Sequence, residues 1–338
     1  MRIILTTILM TLMIHYGFAA DETLTIKPAK GPGNGKHIVL VSGDEEYRSE
    51  EACPMLAKIL SVRHGFETTV LFAMNPETGV INPTILTNIP GLEALKTADL
   101  VILDTRFRKL PDAQLKHFAD YVNSGKPMIG LRTATHAFRC GTYRFDIDWN
   151  NFGLNFLGEK WVAHHGKHKV EGARGVLVES TSQHPILNGV DDIFAPSDVY
   201  RVKNLDEEKA TVLVRAAITE TMAPDSKILS QDPRNKRTQA AIWLHKYTAP
   251  NGKQGSSLCS TMGASVDFES EGLRRAIVNA AFYLLELDVP KQANVDYVDP
   301  YDPSCFSFQP KAFWEGLALK PSDFALGKSP SLGPQRKE

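Results

Sequence analysis

A short polar turn after an apolar run is the part of this sequence best suited to chemistry. Residues 129–137 read IGLRTATHA, so an apolar run ends near Gly130 and is followed by an arginine, two threonines and His136. Elbows between a strand and a helix in α/β enzymes have the spacing Gly-x-nucleophile-x-Gly, because the turn is strained and crowded. Here the nucleophile position holds Arg132, and Ala134 replaces the second glycine. Since an arginine stays protonated, the turn predicts anion binding and not nucleophilic attack.

The turn also suggests roles for its side chains. Backbone N–H groups at a helix start attract anions, and Arg132 would add a guanidinium with several donors. His136 lies about one helical turn further on and would serve as a general acid or base. The alternative is that Arg132 only pairs with a carboxylate such as Asp44 and joins two loops. The sequence therefore predicts His136, Asp44 and Arg132 as catalytic residues, with Thr133 and Thr135 as binding residues beside them.

Alternating strands and helices must position this turn. Apolar runs at 37–43, 67–74, 99–104 and 126–131 predict strands, and the first is typical of a strand buried on both faces. Helical spacing separates them, most clearly at 110–125, where an apolar face ends at a glycine. This alternation predicts a doubly wound, mostly parallel, flavodoxin-like α/β sheet. In such sheets the functional crevice lies beyond the carboxyl ends of the strands.

The loops at those ends, and the more β-rich second half, supply further candidates. Strands are predicted at 174–179, 198–202, 211–218, 240–247 and 255–262, followed by a helix at 272–287. The predicted substrate-binding residues outside the turn are Glu45, Tyr47, Arg106, His164, His165, Tyr200, Gly263 and Asp267.

Three histidines in the segment WVAHHGKHKV suggest either a metal site, a lining of the crevice or ordinary packing. In a strand, His164 and His165 point to opposite faces and cannot both bind one ion. His168 follows, but the segment has no recognised metal-binding spacing. The sequence therefore predicts no cofactor, with a divalent metal as the less favoured alternative.

The composition limits the partners. Hydrophobic residues make up 43% of the chain and charged residues 23%, as in ordinary globular proteins. A formal net charge of −1 provides no basic footprint for nucleic acid. No segment after residue 20 is long and apolar enough to cross a bilayer.

The first residues predict export. Residues 1–20 combine Arg2, an apolar core and small residues at 17–20, the pattern of a signal peptide, although a membrane anchor is the alternative. Export would place the four cysteines in an oxidising compartment, as a disulfide or as buried free thiols. The predicted organisation is a signal peptide at 1–20, a flexible leader at 21–35, an α/β domain at 36–288 and an extended proline-rich tail at 289–338.

Taken in order, these motifs resemble the ThuA-like family, named for trehalose utilisation and placed in the class I glutamine amidotransferase-like superfamily. HIVLVSGDEEYR resembles its first strand and loop, KPMIGLRTATHAF its elbow, QHPILNGV its His-Pro-Ile turn, SDVYRV its Asp/Glu-to-Tyr segment, and AAIWLHKY with SSLCSTMGASVDF its closing strands and glycine loop. The resemblance covers roughly 36–288 and is strongest to a secreted branch common in planctomycete-type bacteria. It implies the superfamily fold and carbohydrate processing, including that of oxidised (3-keto) sugars.

Two departures separate the chain from amidotransferases and from many ThuA-like relatives. An amidotransferase would need a cysteine where Arg132 stands, so glutamine hydrolysis is not expected. Many relatives also have a histidine after the last-loop glycine, where this chain has Ala264. We therefore expect a periplasmic or secreted enzyme that acts on a sugar or sugar derivative, with a non-catalytic carbohydrate-binding or scaffold module as the alternative.

Export has a direct test. Mass spectrometry of the native protein should find a mature N-terminus near Ala20 or Asp21, because the small residues at 17–20 would be the cleavage site. A soluble chain that retains Met1 would contradict the signal peptide.

Overall fold

The computed structural model describes residues 22–330 and 332–333, so the predicted signal peptide lies outside the described residues. Numbered along the chain, the strands are β1 (Thr23–Ile26), β2 (His37–Gly43), β3 (Glu67–Phe72), β4 (Leu100–Thr105), β5 (Met128–Leu131), β6 (Tyr143–Arg144), β7 (Ile147–Asp148), β8 (His164–His165), β9 (Ala173–Leu177), β10 (Phe194–Ala195), β11 (Val199–Tyr200), β12 (Thr211–Ile218), β13 (Gln239–Thr248) and β14 (Gln254–Ser260).

Most of these strands form one ten-stranded sheet, in the order β1-β3-β2-β4-β5-β14-β13-β12-β9-β10. Pairing is parallel from β3 across to β14. The strands beyond β14, and the edge strand β1, pair antiparallel. The predicted α/β class, with extra strands from the second half of the chain, is therefore confirmed. The short pairs β6/β7 and β8/β11 lie outside this sheet.

Helices cover both faces of the parallel half. They are α1 (Ser49–Lys58), α2 (Asp112–Ser124), α3 (Glu271–Leu284) and α4 (Lys311–Leu317). Alternate residues of β2 enter two different cores: Ile38 and Leu40 pack with α1 and α3, whereas Val39 and Val41 pack with α2. All four side chains are fully buried, which is the doubly wound arrangement. Among the described residues, no helix has both the length and the apolar character that a membrane span requires.

The leader predicted to be flexible is partly ordered. Its residues 23–26 form β1, which pairs antiparallel with β3. Leu24 and Ile26 alternate with two threonines and are buried, whereas Thr25 is exposed. This alternation of buried and more exposed residues is typical of a strand with one buried face. The sequence did not predict the strand, because the polar residues that follow it suggested a flexible segment.

The tail also departs from the extended surface segment that its prolines predicted. It contains α4, and the indole of Trp314 is only 2% exposed, with the Arg48 guanidinium carbon 5.2 Å from its ring centroid. The same guanidinium donates to the backbone oxygen of Ser307 at 2.8 Å and to its hydroxyl at 3.1 Å. Arg48 therefore fastens the tail to the start of α1.

All four cysteines lie in the described part of the chain, and Cys53 and Cys259 are buried. None of the disulfide pairings that export would allow is formed in this structure.

Trp314→Ala should test whether the tail belongs to the core. Removing a buried tryptophan leaves a cavity, so the free energy of unfolding should fall by about 3–5 kcal/mol in urea titrations. Leu326→Ala is the matched control, because this tail side chain is 50% exposed and its loss should change stability by less than about 0.5 kcal/mol. If the two variants change the free energy of unfolding equally, the tail lies on the surface of the domain and is not part of its core.

Candidate functional site

Four parallel strands end at the same edge of the sheet and position the candidate loops there. The loops are 44–48 after β2, 106–108 after β4, the turn Arg132–His136 after β5, and 263–267 after β14. Because the carboxyl ends of parallel strands share one edge, these loops meet, as the sequence predicted.

The turn has the backbone of a strained elbow. Arg132 has a φ of 43°, in the left-handed region that a residue with a long side chain rarely adopts. A side chain on Gly130 would place its Cβ 2.5 Å from Leu157 and 3.1 Å from the Cβ of Ala134, so the first glycine of the motif is required by packing. The last loop also packs on the turn, since a Cβ on Gly263 would lie 3.2 Å from the Arg132 nitrogen.

Arg132 does not form the predicted anion cradle. Its side chain is fully buried, and its guanidinium lies 4.5 Å and 4.3 Å from the ring centroids of Tyr47 and Tyr200. Its NH₂ groups are occupied by protein oxygens, so they are not free for a ligand. These acceptors are the backbone oxygens of Ser197 (2.5 Å), Asp198 (2.8 Å) and Thr261 (2.8 Å), the Asp198 carboxylate (3.0 Å) and the Tyr47 hydroxyl (3.3 Å).

Asp44, the carboxylate suggested as a partner for Arg132, instead organises its own loop. It is fully buried and accepts hydrogen bonds from the backbone nitrogens of Glu46 at 2.6 Å and Tyr47 at 2.9 Å. Its second oxygen accepts from the hydroxyl of Thr133 in the elbow. Asp44 and Thr133 therefore connect two loops and are not exposed to a substrate.

Asp267 has a comparable role in the last loop. Its carboxylate accepts from the backbone nitrogens of Gly263 (2.8 Å), Ala264 (3.0 Å) and Ser197 (3.0 Å). Burial raises the pKa of Asp267 even though Arg132 opposes this shift. The residue fixes the loop that presents the carbonyl oxygens of residues 197 and 198 to Arg132.

Glu45 and Arg106 lie closer to solvent. Glu45 forms ion pairs with Arg106 and, at 2.8 Å, with the buried Arg108. The Arg106 guanidinium lies 4.7 Å from the ring of Phe107 and 5.0 Å from the ring of Phe308, a tail residue that is 52% exposed. Arg106 is therefore positioned to contact a ligand.

His136 is the predicted catalytic residue that remains accessible. Its imidazole is half-buried, and Nδ1 lies 3.1 Å from the hydroxyl of Thr135, which leaves Nε2 for a ligand. Burial, reinforced by Arg106 and Arg132, lowers the pKa of His136 well below its usual value. The ring is thus neutral at neutral pH and suited to accept a proton.

The histidine segment forms a second polar centre next to His136. Nδ1 of His164 lies 3.0 Å from both carboxylate oxygens of Asp198, and Nδ1 of His168 lies 2.8 Å from one of them. The two rings stack with centroids 4.0 Å apart. One ligand atom from each of these three residues lies within 4.8 Å of the others, close enough to hold a single metal ion.

His165 is not part of this centre. It is 5% exposed and lies opposite Val199, whereas His164 lies opposite Tyr200. Burial and the charges of Arg201 and Arg234 lower the pKa of His165. The expectation that these neighbouring histidines face opposite ways is confirmed, and His165 is therefore no longer a candidate for ligand contact.

Asp198 is an ionised group at the centre of this arrangement. Burial opposes ionisation, but Arg132 and the two histidines outweigh it and lower the pKa of Asp198. The carboxylate has the opposite effect on His168: although burial disfavours the charged ring, the hydrogen bond to Asp198 raises the pKa of His168.

A row of neighbouring rings lies at the crevice, and we call it the aromatic rim: Phe107, His136, Trp161, His164, His168 and Phe306. Successive ring centroids lie 4.8 Å (Phe107 to His136), 5.5 Å (His136 to Trp161), 6.4 Å (Trp161 to His164), 4.0 Å (His164 to His168) and 5.2 Å (His168 to Phe306) apart. Trp161 is 40% exposed. Tyr200 lies beneath the rim, 5.8 Å from His136.

Several of these residues were absent from the predicted site. The sequence placed His168 in the histidine segment without predicting it as a site residue, and Asp198, Trp161, Phe107 and Phe306 were not predicted. The signal for His168 was Gly166, whose φ of 118° interrupts the strand after His165. For Phe306 no local signal exists, because its position depends on how the tail packs.

Comparisons with known proteins place the chain in a family. The family model described as ThuA, trehalose utilisation, matches residues 38–284. Among solved structures, a ThuA-like protein from Parabacteroides merdae is 11% identical, with 81% of this chain and 97% of that chain covered and a TM-score of 0.49. PurLQS from Thermotoga maritima is 11% identical, with coverages of 74% and 99% and a TM-score of 0.38. No curated protein matches the chain.

Arg132→Ala should reveal the structural role of the elbow arginine. Removing one partner of a buried ion pair leaves the Asp198 charge unpaired, so the free energy of unfolding should fall by about 3–5 kcal/mol in urea titrations. Arg132→Lys should recover only part of this loss, because an ammonium group cannot replace the planar guanidinium. The exposed neighbour Arg139 provides the control, and Arg139→Ala should cost no more than about 0.5 kcal/mol. If Arg132→Ala is as stable as the control, the buried network does not support the fold.

Proposed function

Because the chain belongs to the ThuA family, which suggests a carbohydrate-related role, we propose that it is an enzyme that binds a sugar or sugar derivative within the aromatic rim. The observation that carries this proposal is the position of His136, a neutral and accessible imidazole between Phe107 and the exposed Trp161. Sugars bind proteins by packing their C–H faces on aromatic rings while nearby polar groups bind their hydroxyls. Trp161 offers such a ring, and Arg106 and His164 offer donors.

The side chains favour proton transfer over nucleophilic catalysis. The elbow position holds an arginine whose NH₂ groups are all engaged, so we propose no covalent intermediate and no glutamine hydrolysis. The depressed pKa keeps His136 neutral, so that Nε2 can act as a base, but the same shift weakens that base. A neutral imidazole is a modest base and needs an acidic C–H bond.

This requirement favours an oxidised sugar as substrate. A carbon next to a keto group is far more acidic than other sugar carbons, since its conjugate base is an enolate. We propose that His136 removes this proton from a 3-keto sugar and that Arg106 stabilises the charge on the enolate oxygen. The reaction class is then a lyase, an isomerase or a hydrolase that proceeds by enolisation. The signal peptide pattern supports a periplasmic or secreted location for the enzyme.

A non-catalytic sugar-binding module on the same fold is the second candidate. It is favoured by the burial of Asp44 and Arg132, which leaves His136 as the single accessible member of the predicted catalytic group.

One pair of measurements separates these candidates. A 3-keto disaccharide is incubated with the protein in D₂O, and NMR follows deuterium incorporation next to the keto group, while calorimetry measures binding. His136→Asn should slow exchange by about 10²–10⁴-fold and leave binding nearly unchanged. Trp161→Ala should weaken binding by about 2- to 10-fold through lost ring contacts.

Tyr283→Ala is the matched control, because this ring is 38% exposed on α3, outside the rim. Binding that depends on Trp161 without any exchange or turnover would favour the binding module. If neither 3-keto nor ordinary disaccharides bind, the carbohydrate proposal for this crevice is wrong.

A further inference from the structure

The geometry of the histidine segment leads to a second proposal about the same crevice. We propose that His164, His168 and Asp198 bind one divalent transition-metal ion. The proposal does not depend on the sugar activity proposed above, since the three ligands are defined by their mutual geometry alone.

The ligand atoms have the spacing that a small ion requires. Metal–ligand bonds of about 2.0–2.2 Å place neighbouring donor atoms about 3 Å apart. In this structure Nδ1 of His164 lies 3.0 Å from the Asp198 oxygens, and Nδ1 of His168 lies 2.8 Å from one of them. Since one ligand atom from each of the three residues lies within 4.8 Å of the others, the three can surround an ion if the two Nδ1 protons are displaced and the side chains adjust.

His168 also has the outer contact that is typical of a metal-bound imidazole. A ligating histidine usually directs its other ring nitrogen at a carboxylate or carbonyl oxygen, which fixes the tautomer. Nε2 of His168 is buried, lacks a well-formed hydrogen bond, and lies 3.4 Å from Oε1 of Glu46. With Nδ1 on the ion, Nε2 would keep its proton and donate it to Glu46.

The Asp198 side of the proposed metal site is held in a fixed position. Asp198 has a φ of 66° and is fully buried. Its backbone oxygen and carboxylate both accept from Arg132, and its neighbour Ser197 is held by Asp267. Strained, pre-positioned residues of this kind cluster at functional sites.

The local charge also suits a cation. The carboxylate of Asp198 lies between the two histidines, and the buried carboxylate of Glu46 lies 3.4 Å from Nε2 of His168. Neutral imidazole ligands add no charge. A divalent ion bound here would contact the Asp198 carboxylate directly and lie one imidazole ring away from Glu46.

The centre remains open towards the crevice. The side chains of His164 and His168 are 25% and 21% exposed, and three protein ligands leave at least one coordination position for water or a ligand oxygen. Two nitrogen donors and one carboxylate favour Zn²⁺, Co²⁺ or Fe²⁺ over Mg²⁺ and Ca²⁺, which prefer oxygen ligands. An ion here would polarise a ligand oxygen beside His136.

The test measures metal binding directly, on full-length protein without a histidine tag. The protein is stripped with a chelator, mixed with Zn²⁺ and desalted, and the zinc-to-protein ratio is determined by mass spectrometry. Co²⁺ is then titrated, and its visible absorption reports the geometry and the donor atoms. Wild-type protein should retain about one ion per chain, and excess Mg²⁺ should not compete.

His164→Asn and His168→Asn are the informative variants. An asparagine amide can still donate to Asp198 from nearly the position of Nδ1, so the fold is retained while the imidazole ligand is lost. Each should weaken zinc binding by at least about 100-fold, and Glu46→Gln by about 10-fold. His117→Asn is the control, since His117 lies on α2 outside its buried face, and this variant should bind like wild type.

Two results would overturn the proposal: no stoichiometric Zn²⁺ or Co²⁺ on wild-type protein, or binding that both asparagine variants retain. The proposals fail separately. Sugar binding without zinc binding refutes only the metal site, and zinc binding without sugar binding refutes only the carbohydrate function.

Discussion

The buried guanidinium of Arg132 is the interaction on which the rest of the site depends. An unpaired charge in a protein interior is prohibitively costly, so this group requires acceptors from every element around it. It obtains them from the 197–198 segment, from Thr261 at the end of β14 and from Tyr47. The elbow that other α/β enzymes use to expose a nucleophile is used here to bury a cation, which holds three loops in fixed positions.

The accessible groups take their geometry from this buried cation. Asp198 is held by Arg132 and in turn orients His164 and His168. Tyr200 packs against the guanidinium on one side and lies 5.8 Å from His136 on another. The crevice thus has two layers: a buried ionic floor around Arg132, and a rim of rings of which Trp161, His136 and the two histidines His164 and His168 reach solvent. The chemistry that we propose is placed at the rim because His136 is partly exposed there, whereas Arg132 and Asp44 are fully buried.

The sequence predicted the fold well where a pattern of apolar residues is compatible with only one type of structure. Buried apolar runs alternating with helical spacing predicted the parallel half of the sheet, and the rule for strand ends located the crevice. It could not predict which residues contact a ligand, because that depends on burial. Arg132 and Asp44 are residue types that suit catalysis, and only the packing of the structure shows that both are buried. His168 could not be selected because its approach to His164 depends on a turn at Gly166. Phe306 depends on a long-range docking of the tail that no local pattern encodes.

Docking of the tail makes the crevice depend on a segment that lies far along the chain from the strands. The sheet is complete once β14 has formed, but one wall of the rim is Phe306, held in place by Arg48 and Trp314. A chain that ends before this segment would contain every strand of the described sheet but would lack Phe306 beside His168. The rim is therefore assembled from two distant parts of the sequence, and clipping that removes residue 306 would alter both the rim and the buried packing of Trp314.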